Sequence, residues 1–458
     1  MSSDRKPVAA IAGVFALALF AVRALRGDKN ASKPSDEQNA SNSKSTVRVG
    51  TSVNDGANAS SERALNAPKS HASPLKPRAT TRDEIAGGLA PIELCARGAR
   101  ATVSPFGATV VKLEFARDGE DGARDDVVLG YDDVESYDET TGRPYFGAVC
   151  GRVANRIANG TFTLGSKTYA CAKNNGDNTL HGGLSGWDRK RWTVEDQSRS
   201  SVTLSYESEY GEEGFPGKVK AFVVYSLVGF GERVQLQCDE KEKKVALKVI
   251  NCAEFTTKMT ATTDQKTPIS TVQHTYFNLN GHDHGGDVGD HVIEMPNCHT
   301  YVPVNDETLI PVGKGLEKVD GTKFDLRQPT PMFEMSREGY DNSFVVAGAD
   351  ATRPASELPR EAPRLAARVS STTSGRVLEV FTDAPGVHLY TGNFLSPDMI
   401  GNTKEHARYE RQSGFCLETG WFPDAVNQNA KVGKTYPSVV VSRGDTYSHT
   451  LTYRVKRA

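Results

Sequence analysis

Tyr447-Ser448-His449-Thr450-Leu451-Thr452-Tyr453-Arg454-Val455 alternates aromatic, imidazole and aliphatic side chains with short or charged polar ones. A period of two puts each set on its own face of an extended chain, so this stretch reads as a half-buried antiparallel strand. The pattern recurs where Val202, Leu204 and Tyr206 alternate with Thr203, Ser205 and Glu207. It recurs again where Val234, Leu236 and Cys238 alternate with Arg233, Gln235 and Gln237. Pro216-Gly217 marks a turn, and Ser374-Gly375, between Val369 and Leu378, predicts a hairpin. No amphipathic helical stretch is comparably strong. Many short strands with Gly-rich turns predict an all-β fold, a large antiparallel β-sandwich over residues 89–458. Residues 117–126, acidic with glycines, and 347–364, with Pro354, Pro359 and Pro363, read as surface loops.

Outward from that domain the composition changes. Residues 27–88 are rich in Ser, Asn, Ala, Lys and Pro and nearly lack aromatic side chains. Such a segment cannot bury enough apolar surface to offset the entropy of ordering, so a disordered linker is expected. It carries Asn-x-Ser sequons at Asn30, Asn39 and Asn58, which an Asn- and Ser-rich segment also produces by chance. Within residues 1–26, Arg5-Lys6 precedes an apolar run over 8–22, and Arg23 and Arg26 follow it. The run is short for a spanning helix of ~20 residues but suits a signal peptide or a signal anchor. A membrane tether through 8–22, with a lumenal or extracellular domain in the secretory route, is the expectation. An organellar targeting segment or a cytoplasmic location is the competing one.

The formal net charge of −2 supplies no bulk attraction for nucleic acid, so none is expected as a partner. Cys95, Cys150, Cys171, Cys238, Cys252, Cys298 and Cys416 contain no CxxC pair, and seven is an odd number for a disulfide framework. Buried free thiols are the expectation.

Three separated stretches carry chemistry. The first is Gly151-Arg152-Val153-Ala154-Asn155-Arg156-Ile157 together with Leu180-His181-Gly182-Gly183. The second is His274-Thr275-Tyr276-Phe277-Asn278-Leu279, and the third is Leu417-Glu418-Thr419 within Phe415-Cys416-Leu417-Glu418-Thr419-Gly420-Trp421-Phe422-Pro423-Asp424-Ala425. By residue type alone, Glu418 would be a solvated strand residue, Arg156 half of an ion pair, and His274 a satisfied histidine beside aromatics. Taken together, in this order, the stretches resemble those of the aldose 1-epimerases (galactose mutarotases), over about Leu89 to the C-terminus.

That resemblance implies a β-sandwich of the galactose mutarotase type acting on a free aldohexose such as glucose or galactose, with no cofactor and no metal. It implies Glu418 as general base and His274 as general acid, with Asn155, Arg156 and His181 gripping the sugar. An imidazole titrates near neutrality and can give and retake a proton, and an arginine offers a rigid fork of donors. The glycines after His181 would let backbone approach a ligand closely. Asp341, in Gly339-Tyr340-Asp341-Asn342-Ser343, stands where the family has a carboxylate followed by His or Asn. His388 stands where the animal members typically carry a substrate-contacting Gln, and Gly420 where the family commonly has Gln. Both Asp341 and His388 are taken as substrate contacts.

His282, Asp283, His284, Asp287, Asp290, His291 and Glu294 have metal-ligand chemistry, but they fall in and after a Gly-rich run without tight ligand spacing, so a solvated loop is expected. Two other classes of function compete. A non-catalytic sugar-binding module would not need an acid–base pair. A glycoside hydrolase would need two carboxyl groups ~5–9.5 Å apart, which Glu418 and Asp341 could supply.

Overall fold

The computed structural model describes residues 90–117, 122–133, 136–137, 143–235, 247–401 and 403–457. The expected N-terminal apolar segment, the linker with its sequons, Leu236 and Cys238 all lie outside the described residues. What is described falls within the unit Arg78–Ala458.

The alternating stretch Tyr447–Val455 lies in the strand Tyr447–Arg457, the fifth of nine in an antiparallel sheet. It pairs with Leu247–Thr263 on one side and Arg376–Thr382 on the other. Leu451, Tyr453 and Val455 are buried against the domain core. On the other face, Thr452 meets Thr256 at 2.9 Å and Arg454 pairs with Glu254 at 2.6 Å. Both faces are thus satisfied, one by burial and one by polar pairing. The predicted hairpin forms between Arg364–Ser371 and Arg376–Thr382, with Val369 opposite Leu378 and Gly375 in the left-handed region.

A six-stranded sheet packs against the first. Its order is Tyr276–Phe277, Phe415–Gly420, Gly386–Tyr390, Asp341–Val345, Thr300–Tyr301 and Glu317–Lys318. Contacts between the layers are specific: the Phe277 and Tyr453 rings lie 4.8 Å apart, Trp421 and Tyr447 5.2 Å, and Thr419 Oγ1 meets His449 Nε2 at 2.9 Å. The β-sandwich expectation holds.

Residues 347–364 run over the surface as expected, most of their side chains being exposed or partly exposed, but the loop has a buried anchor: Asp350 and Arg353 are fully buried. The Arg353 guanidinium bonds the carbonyls of Ser448 and Asp383, pairs with Asp383 at 3.2 Å and lies over the Trp421 ring. A buried charge persists only when paired and hydrogen-bonded in this way. Of the other expected loop, residues 118–121 lie outside the described residues, while Arg124–Asp126 is a strand, and Asp126 meets the buried Lys404 ammonium at 2.7 Å. The supposed solvated metal-like loop is divided. His291 is fully buried, bonding Asp290 and the Leu279 N–H, and His282 is buried against the Tyr409 hydroxyl, whereas Asp283, His284 and Asp287 are exposed. Both buried histidines are structural. Cys150, Cys171, Cys298 and Cys416 are buried free thiols, as expected, and Cys252 is buried, whereas Cys95 is only half-buried.

His449, between the layers, gives a stability prediction. Burial, assisted by the Arg353 charge, pushes its imidazole down to about 3. Above pH ~6.5 folded and unfolded states are both neutral there. Below it the unfolded chain takes up a proton that the folded chain refuses. Stability should therefore fall by about 1.4 kcal/mol per pH unit from this residue as pH drops below ~6.5. Buried His181, also pushed well down, acts in the same direction. Urea midpoints at pH 7.5, 6 and 5 check this, and a flat profile would contradict it.

Candidate active site

The strand Phe415–Gly420 is buried along its whole length. Phe415, Leu417 and Thr419 point into the space between the sheets, which sends Cys416 and Glu418 to the opposite face. That face floors a cavity of about 770 Å³, within the range of small-molecule sites. Asn155, Arg156, His181, His274, Asp341, His388 and Glu418 all line it. Residues up to 263 positions apart in sequence, counting from Asn155 to Glu418, are brought together by strand pairing. His388 is directly opposite Glu418, and Tyr276, two residues after His274, is directly opposite Cys416.

His274 Nε2 lies 3.5 Å from Glu418 Oε1, and both side chains are about 95 % buried or more. The other ring nitrogen, Nδ1, faces Cys416 Sγ at 3.5 Å. Burial pushes the Cys416 thiol well up, so it stays protonated, and its sulfur can accept from Nδ1–H as well as donate to a bare Nδ1. Nε2 is the ring nitrogen aimed at Glu418, so a proton that His274 gives or takes in the cavity passes through Nε2 while Nδ1 keeps its own.

His181 sits differently. It stands at positive φ on a turn whose N–H donates to the Asn155 carbonyl at 2.9 Å. Its Nδ1 accepts the Asn155 N–H at 3.4 Å, leaving the other nitrogen as the donor. Burial, then the nearby His274 and Arg156, push its pKa well below the ordinary histidine value. His181 is a neutral hydrogen-bond donor across the working range. The donor atoms of His181, His274 and Glu418 lie within 4.8 Å of one another, a set resembling metal ligands. However, the tautomer that the Asn155 N–H imposes puts a proton where His181 would need a lone pair.

Arg156 holds Asn175 Oδ1 through Nε at 3.1 Å, while Asn155 Oδ1 accepts the Arg156 N–H. Arg152 plays no part in the cavity: its guanidinium is buried among the carbonyls of Pro216, Gly217 and Ser208. Burial pushes the Asp341 carboxyl up, but its bond to His388 and the Arg156 charge more than offset this and hold it below the usual range.

The glycines after His181 are not there for a ligand. At Gly182, φ is +89°, and a Cβ would collide with the Gly151 carbonyl; at Gly183 it would strike the Glu213 carboxylate. They press the His181 turn onto the protein. Gly182→Ala is expected to cost about 1–3 kcal/mol in strain and to raise KM by displacing His181. A urea midpoint and KM that both match the parent would contradict this. Gly420 lies outside the cavity lining; a Cβ there would meet Val272 and the Thr271 carbonyl.

Sequence reasoning passed over Tyr145, Tyr276, Tyr390 and Phe394, which also line the cavity. Tyr145 stacks on His274 with ring centres 5.7 Å apart and lies 4.6 Å from His181. Tyr276 and Tyr390 stand two residues after His274 and His388, so strand periodicity could have found them. Tyr145, at positive φ outside any strand, carried no such signal.

Comparison with known proteins fits this geometry. The aldose 1-epimerase family profile matches residues 91–247 and 240–454. Galactose mutarotase of Bos taurus is 39% identical over 373 residues, covering 81% of this chain and 94% of the relative. The Homo sapiens galactose mutarotase is 38% identical, covering 78% and 90%. Among solved structures, an aldose epimerase homologue from C. elegans aligns with TM-score 0.65 and 27% identity over 80% of this chain and 99% of that one. Profile, identity across most of both chains and the shared fold agree: this chain belongs to the aldose 1-epimerase family.

Proposed function

We propose that the protein interconverts the α and β anomers of free hexoses such as glucose and galactose, using its own side chains and no cofactor. The observation that carries this is the adjacency of His274 Nε2 and Glu418 Oε1 at 3.5 Å on one cavity floor. In a cyclic sugar, the hydroxyl oxygen O1 and the ring oxygen O5 are bonded to the same carbon, so a base for one and an acid for the other must stand side by side.

Glu418 removes the O1 proton, the O1 electrons form the C1 carbonyl, and the C1–O5 bond breaks. O5 keeps that electron pair and takes the proton from Nε2 of the protonated His274, which is left as a neutral imidazole. The aldehyde turns about C1–C2. O5–H then adds to the other carbonyl face, returning its proton to His274, while the new O1 takes back the proton held by Glu418. Each group ends as it began. Arg156, His181 and Asp341 hold the remaining hydroxyls as donors and acceptor.

A glycoside hydrolase is less well served, because the group beside Glu418 is an imidazole. The test is exchange spectroscopy by proton NMR. Cross-peaks between the α and β anomeric signals of galactose should strengthen with added protein, while methyl galactoside should stay intact. Release of methanol would favour the hydrolase; binding without exchange would favour the sugar-binding module.

We also propose that residues 1–26 form an address or tether. The support is a charge-flanked apolar run lying before residue 91, where the family match begins. Among the described residues, no helix is long and apolar enough to cross a membrane. Fusing residues 1–30 to a soluble reporter should carry it to a membrane or out of the cytosol. A diffuse cytosolic reporter would sink this reading.

A further inference from the structure

His388 has both ring nitrogens occupied by protein. Nδ1 meets Ser343 Oγ at 2.8 Å, and Nε2 meets Asp341 Oδ1 at 2.8 Å. The placement follows from the sheet. Asp341 and Ser343, two apart on one strand, share a face, and Ser343 is the register partner of His388 on the next. Ser343 is buried, and the side chains of His388 and Asp341 are only 11 % and 14 % exposed, at the cavity wall. A serine hydroxyl that donates to Nδ1 leaves the imidazole proton on Nε2, from which it is donated to Asp341. No ring nitrogen is then left for a ligand. Asp341 Oδ2, by contrast, has no protein donor among the described residues.

We infer that His388 is a positioning residue that acts through Asp341: the Ser343–His388 pair fixes one carboxylate oxygen so that the other accepts sugar hydroxyls in a set orientation. This departs from reading His388 as a sugar contact, and it rests on the proposal that the cavity binds a free aldose. The relay depends on both partners, because a serine at 343 serves only if residue 388 presents an acceptor to it. It also explains how a carboxylate at a cavity wall is kept oriented before the ligand arrives, much as outer partners orient metal-bound ligands.

The test is a double-mutant cycle on galactose and glucose binding, read by calorimetry and, in parallel, as KM and kcat. His388→Leu should weaken binding about tenfold, the loss of one hydrogen bond to a charged group. The loss should fall on KM more than on kcat. His388→Gln, which keeps a donor for Asp341, should recover most of it. Ser343→Ala should give a smaller loss in the same direction. On an Asp341→Asn background, His388→Leu should add almost nothing. Losses that multiply in the double variant would mean that His388 touches the sugar itself, and unchanged binding in His388→Leu would mean that it does neither; either result overturns the inference alone. A wild-type protein that neither binds nor interconverts these sugars overturns the proposed function, and this inference with it.

Discussion

Glu418→Gln is expected to slow anomer interconversion by about two to four orders of magnitude, the range for one positioned acid–base group. The glutamine amide fills the same space on a strand buried along its whole length, so the cavity should keep its form. It cannot accept the O1 proton, and its contact with His274 Nε2 no longer involves a carboxylate. Galactose affinity, carried by Arg156, His181 and Asp341, should change little. The loss should therefore appear in kcat, the signature of an interaction needed mainly in the transition state. Polarimetry gives the rate and calorimetry the affinity. A variant that retained most of its rate would remove Glu418 from the mechanism, and one that lost affinity as steeply as rate would make it a sugar contact.

The two cavity histidines should separate just as clearly. His274→Asn keeps a donor but loses a group able to give and retake a proton, so kcat should drop by about 10²–10⁴-fold with a modest change in KM. His181→Asn should act mainly on KM. His181 is held neutral by burial and by the His274 and Arg156 charges, and its Nδ1 is spent on the Asn155 N–H, so it offers a hydrogen bond and no proton traffic. Because its pKa lies well below the ordinary value, removing it should not shift the acidic side of the kcat profile near neutrality. Losses in the opposite sense, with kcat falling in His181→Asn and KM rising in His274→Asn, would exchange the two roles.

How far the sequence could be read depended on whether a strand had one wet face. Tyr447–Arg457 was legible because its outer residues, Thr452 and Arg454, are polar and pair across the sheet surface. Phe415–Gly420 offered no alternation, since both of its faces are buried, and only its resemblance to a known family pointed to Glu418. Residues 347–364 were legible as surface but their anchor was not: nothing in the prolines and charges shows that Arg353 pairs inside with Asp350 and Asp383, with Arg364 as the second cation beside Asp350. His282 and His291 misled, because a glycine-rich neighbourhood hides two buried hydrogen-bonded rings. The role of Gly182 could not be read at all without the Gly151 carbonyl, which lies 31 positions earlier. Period-two reading places Asp341 and Ser343 on one face, but their meeting with His388 is a matter of strand register, which a single sequence does not state.

The central claim is that the His274–Glu418 pair opens and recloses a free sugar ring. The most direct measurement is the optical rotation of freshly dissolved α-galactose with and without protein, for the wild type and for Glu418→Gln. The account predicts that catalytic amounts of wild type hasten the drift, that the final rotation is the same with or without enzyme, and that the variant tracks the uncatalysed curve closely. A wild-type curve that coincides with the uncatalysed one, although galactose binds, would contradict it.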